Sequence, residues 1–300
     1  MIAIFTPTYN RKELLKRCYM SLAAQTDKNF EWLVIDDGST DDTKDYINSV
    51  RKKSDFEISY YYQKNGGKYR AFNCAVKECK LDYMLLLDSD DMLTESAIEI
   101  LNRKCKMIKN LDSVCGIIGN CGHIGKNGVV GSKIPRLRFA SGLDLYQRMN
   151  FHGDTMRLYK TSVLKKYPFP EINGEKFMPE NVIFDRIDQK YKMLVIPEVL
   201  YLCEYQKSGL SNNIDKVRIE NPIGYSLSLK STAETALSLK KRFGVTVLYI
   251  IWCRKFGIKK SFNRYSDKVV YLLCWPVSFI MQICKRPRFF YNMFEAKNGK

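Results

Sequence analysis

Residues 83–91 read Tyr-Met-Leu-Leu-Leu-Asp-Ser-Asp-Asp, and the fold turns on how this stretch is read. A continuous apolar run of this length, Tyr83–Leu87, predicts a strand buried on both faces, as in parallel sheets flanked by helices. It stops abruptly at three carboxylates within four residues. Working back toward the start, the same pattern recurs. Ile2–Phe5, Phe30–Ile35 and Ile58–Gln63 predict strands. Between them lie predicted helices at Arg11–Ala24, from Ser39-Thr40-Asp41-Asp42 to about Lys53, and at Lys68–Cys79. In the first of these, Leu14, Leu15, Cys18 and Leu22 fall on one stripe. Forward of the acids, Thr94–Ile108 predicts a fourth helix with Thr94 as its cap. Four strand–helix units in succession predict an α/β fold with a doubly wound, mostly parallel sheet.

Such sheets bind ligands at the carboxyl ends of their strands. The segments placed there are Thr6-Pro7-Thr8-Tyr9, Asp36-Asp37-Gly38-Ser39, Lys64–Lys68 and Asp88-Ser89-Asp90-Asp91. Unpaired, the three acids of the last segment would repel one another and raise each other's pKa. A hard divalent cation, Mg²⁺ or Mn²⁺, relieves that repulsion; a solvated acidic loop leading into the next helix is the plainer alternative. Asp36 and Asp37 add a second acidic strand end to the same rim and favour a metal or ribose site. Asn65-Gly66-Gly67 with Lys68 and Arg70 opens a helix, where N–H groups and positive charge suit phosphate. Gly66-Gly67-Lys68-Tyr69 lacks the upstream Gly and the Ser/Thr of a P-loop, and the absence of GxGxxG after a strand argues against a nicotinamide dehydrogenase. Tyr9 either stacks on a base or packs. Metal, phosphate donors and a base stacker together point to a nucleoside diphosphate that departs on the metal.

Four segments carry a family resemblance: Thr6-Pro7-Thr8-Tyr9-Asn10-Arg11; Asp36-Asp37-Gly38-Ser39-Thr40-Asp41; Asn65-Gly66-Gly67-Lys68 with Ala71 and Asn73; and Leu87-Asp88-Ser89-Asp90-Asp91. In order and spacing they resemble the family 2 inverting glycosyltransferases of GT-A fold, of bacterial surface-polysaccharide type, over roughly residues 1–215. The resemblance implies a nucleotide-sugar donor, a UDP-sugar by the commonest habit of similar enzymes, and a Mn²⁺ or Mg²⁺ ion. Pro7, Thr8, Tyr9 and Asp37 would hold base and ribose, and Lys68 would lie near the donor. Asp88, Ser89 and Asp90 would serve sugar and ribose, with Asp90 the principal metal ligand and Asp91 the second. Glu175–Asn181 stands where similar enzymes carry a Glu-Asp pair opening a helix. Glu180 is the candidate base that takes the acceptor hydroxyl's proton. Asn181 replaces the Asp that serves in some members, so Asp154 and Asp185 stand as alternatives. Tyr205–Ser211 resembles the loop that closes over the diphosphate, with Lys207 or Ser211 touching phosphate. His152 either borders the acceptor pocket or is structural.

In the second half, the Gly-rich 114–132 predicts short strands with tight turns. Gly142–Met149, Thr161–Lys166 and Glu180–Tyr191 predict helices, Val199–Tyr205 a strand and Pro222–Phe243 one long helix. The expected organisation is a catalytic domain over 1–220, divided into a donor half (1–110) and an acceptor half (111–220), followed by a helical, basic region over 221–300.

Composition places the chain among ordinary folded proteins: 300 residues, 45% hydrophobic and 27% charged. The formal charge of +17 is concentrated at the end, where residues 221–300 hold 15 Lys/Arg against 3 Asp/Glu. Phe243–Cys253 and Val269–Cys284 are uncharged and apolar, with six basic residues and one acid in Arg254–Lys268 between them. The second run, 16 residues at ~1.5 Å each, falls short of a ~30 Å hydrocarbon core. An anionic membrane surface is therefore the expected partner of this region, with helical packing on the catalytic domain as the alternative. No nucleic-acid motif is present. Ten cysteines without CxxC, two histidines and no cleavable leader predict reduced thiols and a cytoplasmic protein, peripheral on the inner face of the plasma membrane. The expected function is metal-dependent glycosyl transfer to a lipid-linked or growing surface polysaccharide. The rival readings are a catalytically silent membrane-bound partner of another transferase and a sugar-phosphate nucleotidyltransferase.

Overall fold

A computed structural model describes residues 1–204 and 213–283. Four parallel strands lie side by side in the order β3 (Glu57–Tyr62), β2 (Phe30–Asp36), β1 (Ile2–Thr8), β4 (Tyr83–Leu86). Helices α1 (Lys12–Ala23), α2 (Thr43–Arg51) and α3 (Lys68–Glu78) connect them. The chain winds outward from β1 to β3, then returns to the far side of β1 to lay down β4. Winding reverses between β1 and β4, and a crevice opens beyond the strand ends at such a reversal. In register, Thr8 faces Asp36 and Asp36 faces Tyr62, so the strand ends form one level rim.

Beyond β4 the sheet becomes mixed. A strand not foreseen from sequence, β8 (Thr155–Lys160), runs antiparallel between β4 and β6 (Val114–His123). The Gly-rich segment is thus not a set of short strands, because Val114–His123 is one buried ten-residue strand. A Cβ on Gly116 would meet the Leu158 carbonyl oxygen at 1.9 Å, so glycine is what lets β8 pass this close. β9 (Lys192–Cys203) pairs parallel with β6 and begins seven residues before the expected Val199. Its register slips between Ile196, opposite Gly119, and Tyr201, opposite Cys121. Pro197, which has no N–H for the ladder, sits inside that slip. Two short strands, β5 (Met92–Leu93) and β7 (Phe139–Ala140), pair antiparallel with β9.

Three helical expectations change. α4 (Ala97–Ile108) begins three residues after Thr94, whose carbonyl accepts from Ala97 and whose hydroxyl is buried without a partner. The expected helix over Gly142–Met149 is present from Gly142 to Arg148, but its last five residues, Asp144–Arg148, widen into a π-helical turn. The long helix over Pro222–Phe243 is two, α8 (Pro222–Glu234) and α9 (Leu239–Lys255), because the Ser238 hydroxyl accepts from the Lys241 N–H and starts a new helix. The other helices are α5 (Thr161–Leu164), α6 (Asn181–Asp188), α7 (Ile214–Glu220), α10 (Ser261–Arg264) and α11 (Lys268–Ile283).

The sheet separates two apolar layers. Leu15, Leu22, Trp32 and Leu101 fill one, and Phe5, Phe72, Tyr159 and Phe184 the other. A third core, with Tyr249, Tyr265 and Cys274, lies among α8, α9 and α11. No helix among the described residues is long and apolar enough to cross a membrane.

Candidate active site

The site starts from Asp37, at the end of β2. Its carboxylate accepts from the backbone N–H groups of Gly66 (2.8 Å) and Gly67 (2.7 Å) and from the Gln63 amide (2.6 Å). The N–H groups that the sequence offered to phosphate are therefore engaged by Asp37, and the turn into α3 is locked to β2. Gly67 takes φ +95°, and a Cβ there would lie 1.7 Å from the Lys176 carbonyl oxygen. Only glycine allows the 175–180 segment to descend onto the rim.

That segment is hung from α8. The buried Glu175 accepts from the N–H groups of Ile223 (2.7 Å) and Gly224 (2.6 Å), placing a carboxylate at the positive end of α8. The Asn221 side-chain oxygen accepts from the N–H groups of Lys176 and Phe177. Held at both ends, the segment delivers Glu180 to Lys68. The Lys68 ammonium lies 2.7 Å from Asp88 and 2.9 Å from Glu180. Burial in the cleft works against its charge, but the two carboxylates outweigh burial and raise its pKa well above the ordinary lysine range.

The acids beyond β4 each have a partner. Asp90 faces Arg11 at 3.3 Å, and its carbonyl accepts from Arg17. Asp91 accepts from the Tyr201 hydroxyl at 2.5 Å, and the same hydroxyl accepts from the Asp88 N–H at 3.1 Å. Burial pushes the Asp91 carboxyl up to about 7; the Tyr201 bond opposes this, and the charges of Asp88 and Asp90 add to it. Ser89 and Thr8 are buried, and the Thr8 hydroxyl has no partner. Tyr9 stands 47% exposed at the lip.

Pro7, Thr8, Tyr9, Asp37, Lys68, Asp88, Ser89, Asp90, Asp91 and Glu180 all line one cleft of about 1160 Å³. Asp154 and Asp185 line it too, and burial pushes Asp185 up to about 6 against the bond it accepts from Asn181. Asn181 itself is a strut. Its amide donates to the Thr232 hydroxyl (2.9 Å) and the Ser228 carbonyl (3.2 Å), and its oxygen accepts from the Ser228 hydroxyl (2.7 Å). His152 is not among the residues lining the cleft, and its backbone pairs with Ser132. Lys207 and Ser211 lie outside the described residues. Sequence reasoning assigned no role to Arg11, Arg17 or Tyr201. Arg11 sits inside the first strand-end motif and carried a signal; Tyr201 comes 110 residues after its partner Asp91 and carried none.

Among the described residues, no three His, Cys, Asp or Glu side chains are gathered to hold a metal ion. The donor set does not form a carboxylate cage. It does fit a cation held by one or two carboxylates and completed by substrate phosphates, the usual arrangement for Mg²⁺. Asp90 suits this role best, since its counter-ion is a half-exposed arginine rather than a buried hydroxyl.

The sheet reversing at β1/β4, with acidic strand ends beneath an open cleft, has the architecture of a GT-A fold. Residues 3–168 match the family described as glycosyl transferase family 2, and the chain belongs to that family. It is 32% identical to the glycosyltransferase GlyG of Streptococcus pneumoniae, over 100% of this chain and 99% of that protein. A GalNAc(5)-diNAcBac-PP-undecaprenol beta-1,3-glucosyltransferase of Campylobacter jejuni is 26% identical over 57% of this chain and 55% of its own length. An uncharacterized glycosyltransferase of Rickettsia felis is 41% identical over 33% of this chain, and the match spans only 16% of that relative's length. Among solved structures, S. aureus TarS 1–349 in complex with UDP-GlcNAc superposes with a TM-score of 0.59 at 19% identity, over 99% of this chain and 88% of that 1–349 chain. The mannosyltransferase PcManGT of Pyrobaculum calidifontis, in complex with GDP-Man and Mn²⁺, gives 0.57 at 15% identity, over 99% and 84%.

Proposed function

We propose that this chain is a metal-dependent, inverting glycosyltransferase that moves a sugar from a UDP-sugar to a hydroxyl of a lipid-linked or growing surface polysaccharide. The observation that carries the reading is the Lys68 ammonium shared between Asp88 and Glu180, which puts a rim carboxylate and a candidate base on one cation in one cleft. Pro7 and Tyr9 flank the base, Asp37 meets the uridine and ribose, and the buried, unpartnered Thr8 hydroxyl offers a further donor. Asp88 and Ser89 meet ribose and sugar. Glu180 takes the acceptor hydroxyl's proton as the acceptor oxygen bonds to the anomeric carbon and the bond to the diphosphate breaks on the opposite face. Lys68 positions Glu180 through the 2.9 Å ion pair until the acceptor arrives. Asp90, with Asp91, would hold the divalent cation, which when bound stabilises charge on the departing diphosphate.

The donor class draws support from TarS 1–349, solved in complex with UDP-GlcNAc, and the acceptor class from the Campylobacter relative, which acts on an undecaprenol-linked glycan. Calorimetry with UDP, GDP and dTDP, with and without Mn²⁺, tests the donor site. Metal-dependent binding of UDP over the other two supports the reading; no binding of any nucleotide overturns it. Donor hydrolysis that disappears in Asp90→Ala and Glu180→Gln supports turnover. Tight UDP binding without turnover on any acceptor would instead support a silent partner.

A further inference from the structure

α9 and α11 run side by side in the same direction. Arg242 meets Asp267 (3.3 Å) where both helices begin, and Arg254 meets Gln282 (2.9 Å) where both end. α11 turns Tyr271, Cys274, Ser278 and Met281 into the core against α9. The opposite face is apolar as well: Val269, Leu272, Leu273, Ile280 and Ile283 stand 60–67% exposed at helical spacing. Trp275 and Phe279, half exposed, stack at its margin, and the Arg254 guanidinium lies 5.7 and 5.5 Å from their rings. Isolated exposed apolar residues need no explanation, but a continuous helical face of this size does.

Three observations choose what covers it. At 16 described residues, α11 is too short to cross a bilayer. Lys255, the last residue of α9, and Lys259, Lys260 and Arg264 in the return to α11 are all exposed, and the one acid of that return, Asp267, is paired with Arg242. Trp275 and Phe279 flank the exposed face, side chains that favour the membrane–water interface. We infer that α11 lies in the plane of an anionic bilayer, its exposed face in the headgroup–acyl boundary and the Lys/Arg return on the headgroups. The placement has a consequence for the cleft. Lys241, Val245 and Leu248 of α9 line it, so one helix is both the back of the membrane face and a wall of the site, and a lipid-borne acceptor is presented beside its catalytic carboxylate. That last clause rests on the transferase reading; the docking does not.

The test uses the full chain with vesicles of phosphatidylglycerol mixed with phosphatidylcholine, and of phosphatidylcholine alone. The expected result is sedimentation with the anionic vesicles, weakened by salt, with Trp275 fluorescence quenched by lipids brominated on the acyl chain. Trp275→Phe should remove that quenching, since Trp32 is fully buried and the Trp252 indole is bonded to the Pro222 carbonyl. Leu272→Glu with Ile280→Glu, and separately Lys255→Glu with Lys260→Glu, should each cut partition about tenfold or more. UDP calorimetry on each variant reports folding and keeps this result separate from the donor site. Equal partition to neutral vesicles, partition unchanged in both double variants, or a dimer that Ile280→Glu dissociates without any vesicle binding would each overturn the inference.

Discussion

The strand-end rim and the α9–α11 edge solve opposite problems. At the rim, polar groups are oriented before any ligand arrives. Asp36 accepts from the Tyr60 hydroxyl and the Ser39 N–H, Asp37 from two glycine N–H groups, and Asp91 from Tyr201. At the α11 edge, large apolar side chains stand in water and few directional bonds are made. A small charged ligand is recognised by fixed donors and acceptors, because misaligned hydrogen bonds lose most of their value. A broad surface needs only area and sign of charge. Rim substitutions should therefore act steeply and singly, whereas edge substitutions should act weakly unless they reverse polarity.

The sharpest test at the rim is Glu180→Gln. Turnover should fall about 10²- to 10⁴-fold with donor binding nearly unchanged, measured as kcat against donor Kd. If Asp185→Asn does this instead and Glu180→Gln does not, the base lies one turn further along α6. Asp90→Ala should cost about 10²-fold or more in metal-dependent donor affinity; a chelator should reproduce that loss in the wild type and add nothing in the variant. Gly67→Ala meets both a left-handed backbone and the Lys176 carbonyl. It should destabilise by about 3 kcal/mol in urea unfolding, whereas Gly174→Ala, at φ +82° with nothing within 4 Å, should cost about 1 kcal/mol.

Asp144 adds a pH test away from the cleft. Burial raises its pKa, but Lys192 and the Ser141 N–H and hydroxyl prevail and hold it down at about 2. A carboxyl depressed on folding stabilises the native state above its unfolded pKa and loses that effect as pH falls through the folded value. Asp144→Asn should therefore cost about 2 kcal/mol at neutral pH, with the difference fading between about pH 4 and pH 2. At the edge, Leu272→Ala should change stability by no more than about 0.5 kcal/mol. A larger loss would mean that the face is covered within the folded chain.

The first hundred residues were legible because each element there is local. An apolar run predicts a strand, the next amphipathic stretch its helix, and topology then fixes which loops meet. Where pairing reaches across long separations, the sequence is a weaker guide. β8 (Thr-Met-Arg-Leu-Tyr-Lys) is short and its polar–apolar alternation breaks at Leu158-Tyr159, so it becomes a strand because β4 and β6 flank it on both sides. β9 is hidden by Pro197, which reads as a strand end until the register slip that accommodates it is seen. The break between α8 and α9 contains neither Gly nor Pro, so only the Ser238 cap marks it. In the cleft, residue types at the strand ends identified the acids, but which cation each acid meets depended on Arg11, Lys68 and Tyr201 arriving from separate elements.

The suspension of the 175–181 segment from α8 bears on how this molecule can be divided. Glu175, Asn181 and Asn221 bond this strip to Ile223, Gly224, Ser228 and Thr232. A chain cut at residue 220 would leave the Glu175 carboxylate and the Asn181 amide without those partners, in a layer built to exclude water, and the strip bearing Glu180 would lose its anchor. The transferase half is thus not a portable module. Swapping C-terminal regions between relatives to move an enzyme from one surface to another would succeed only if the graft carries the opening three turns of α8, through Thr232, with the catalytic half.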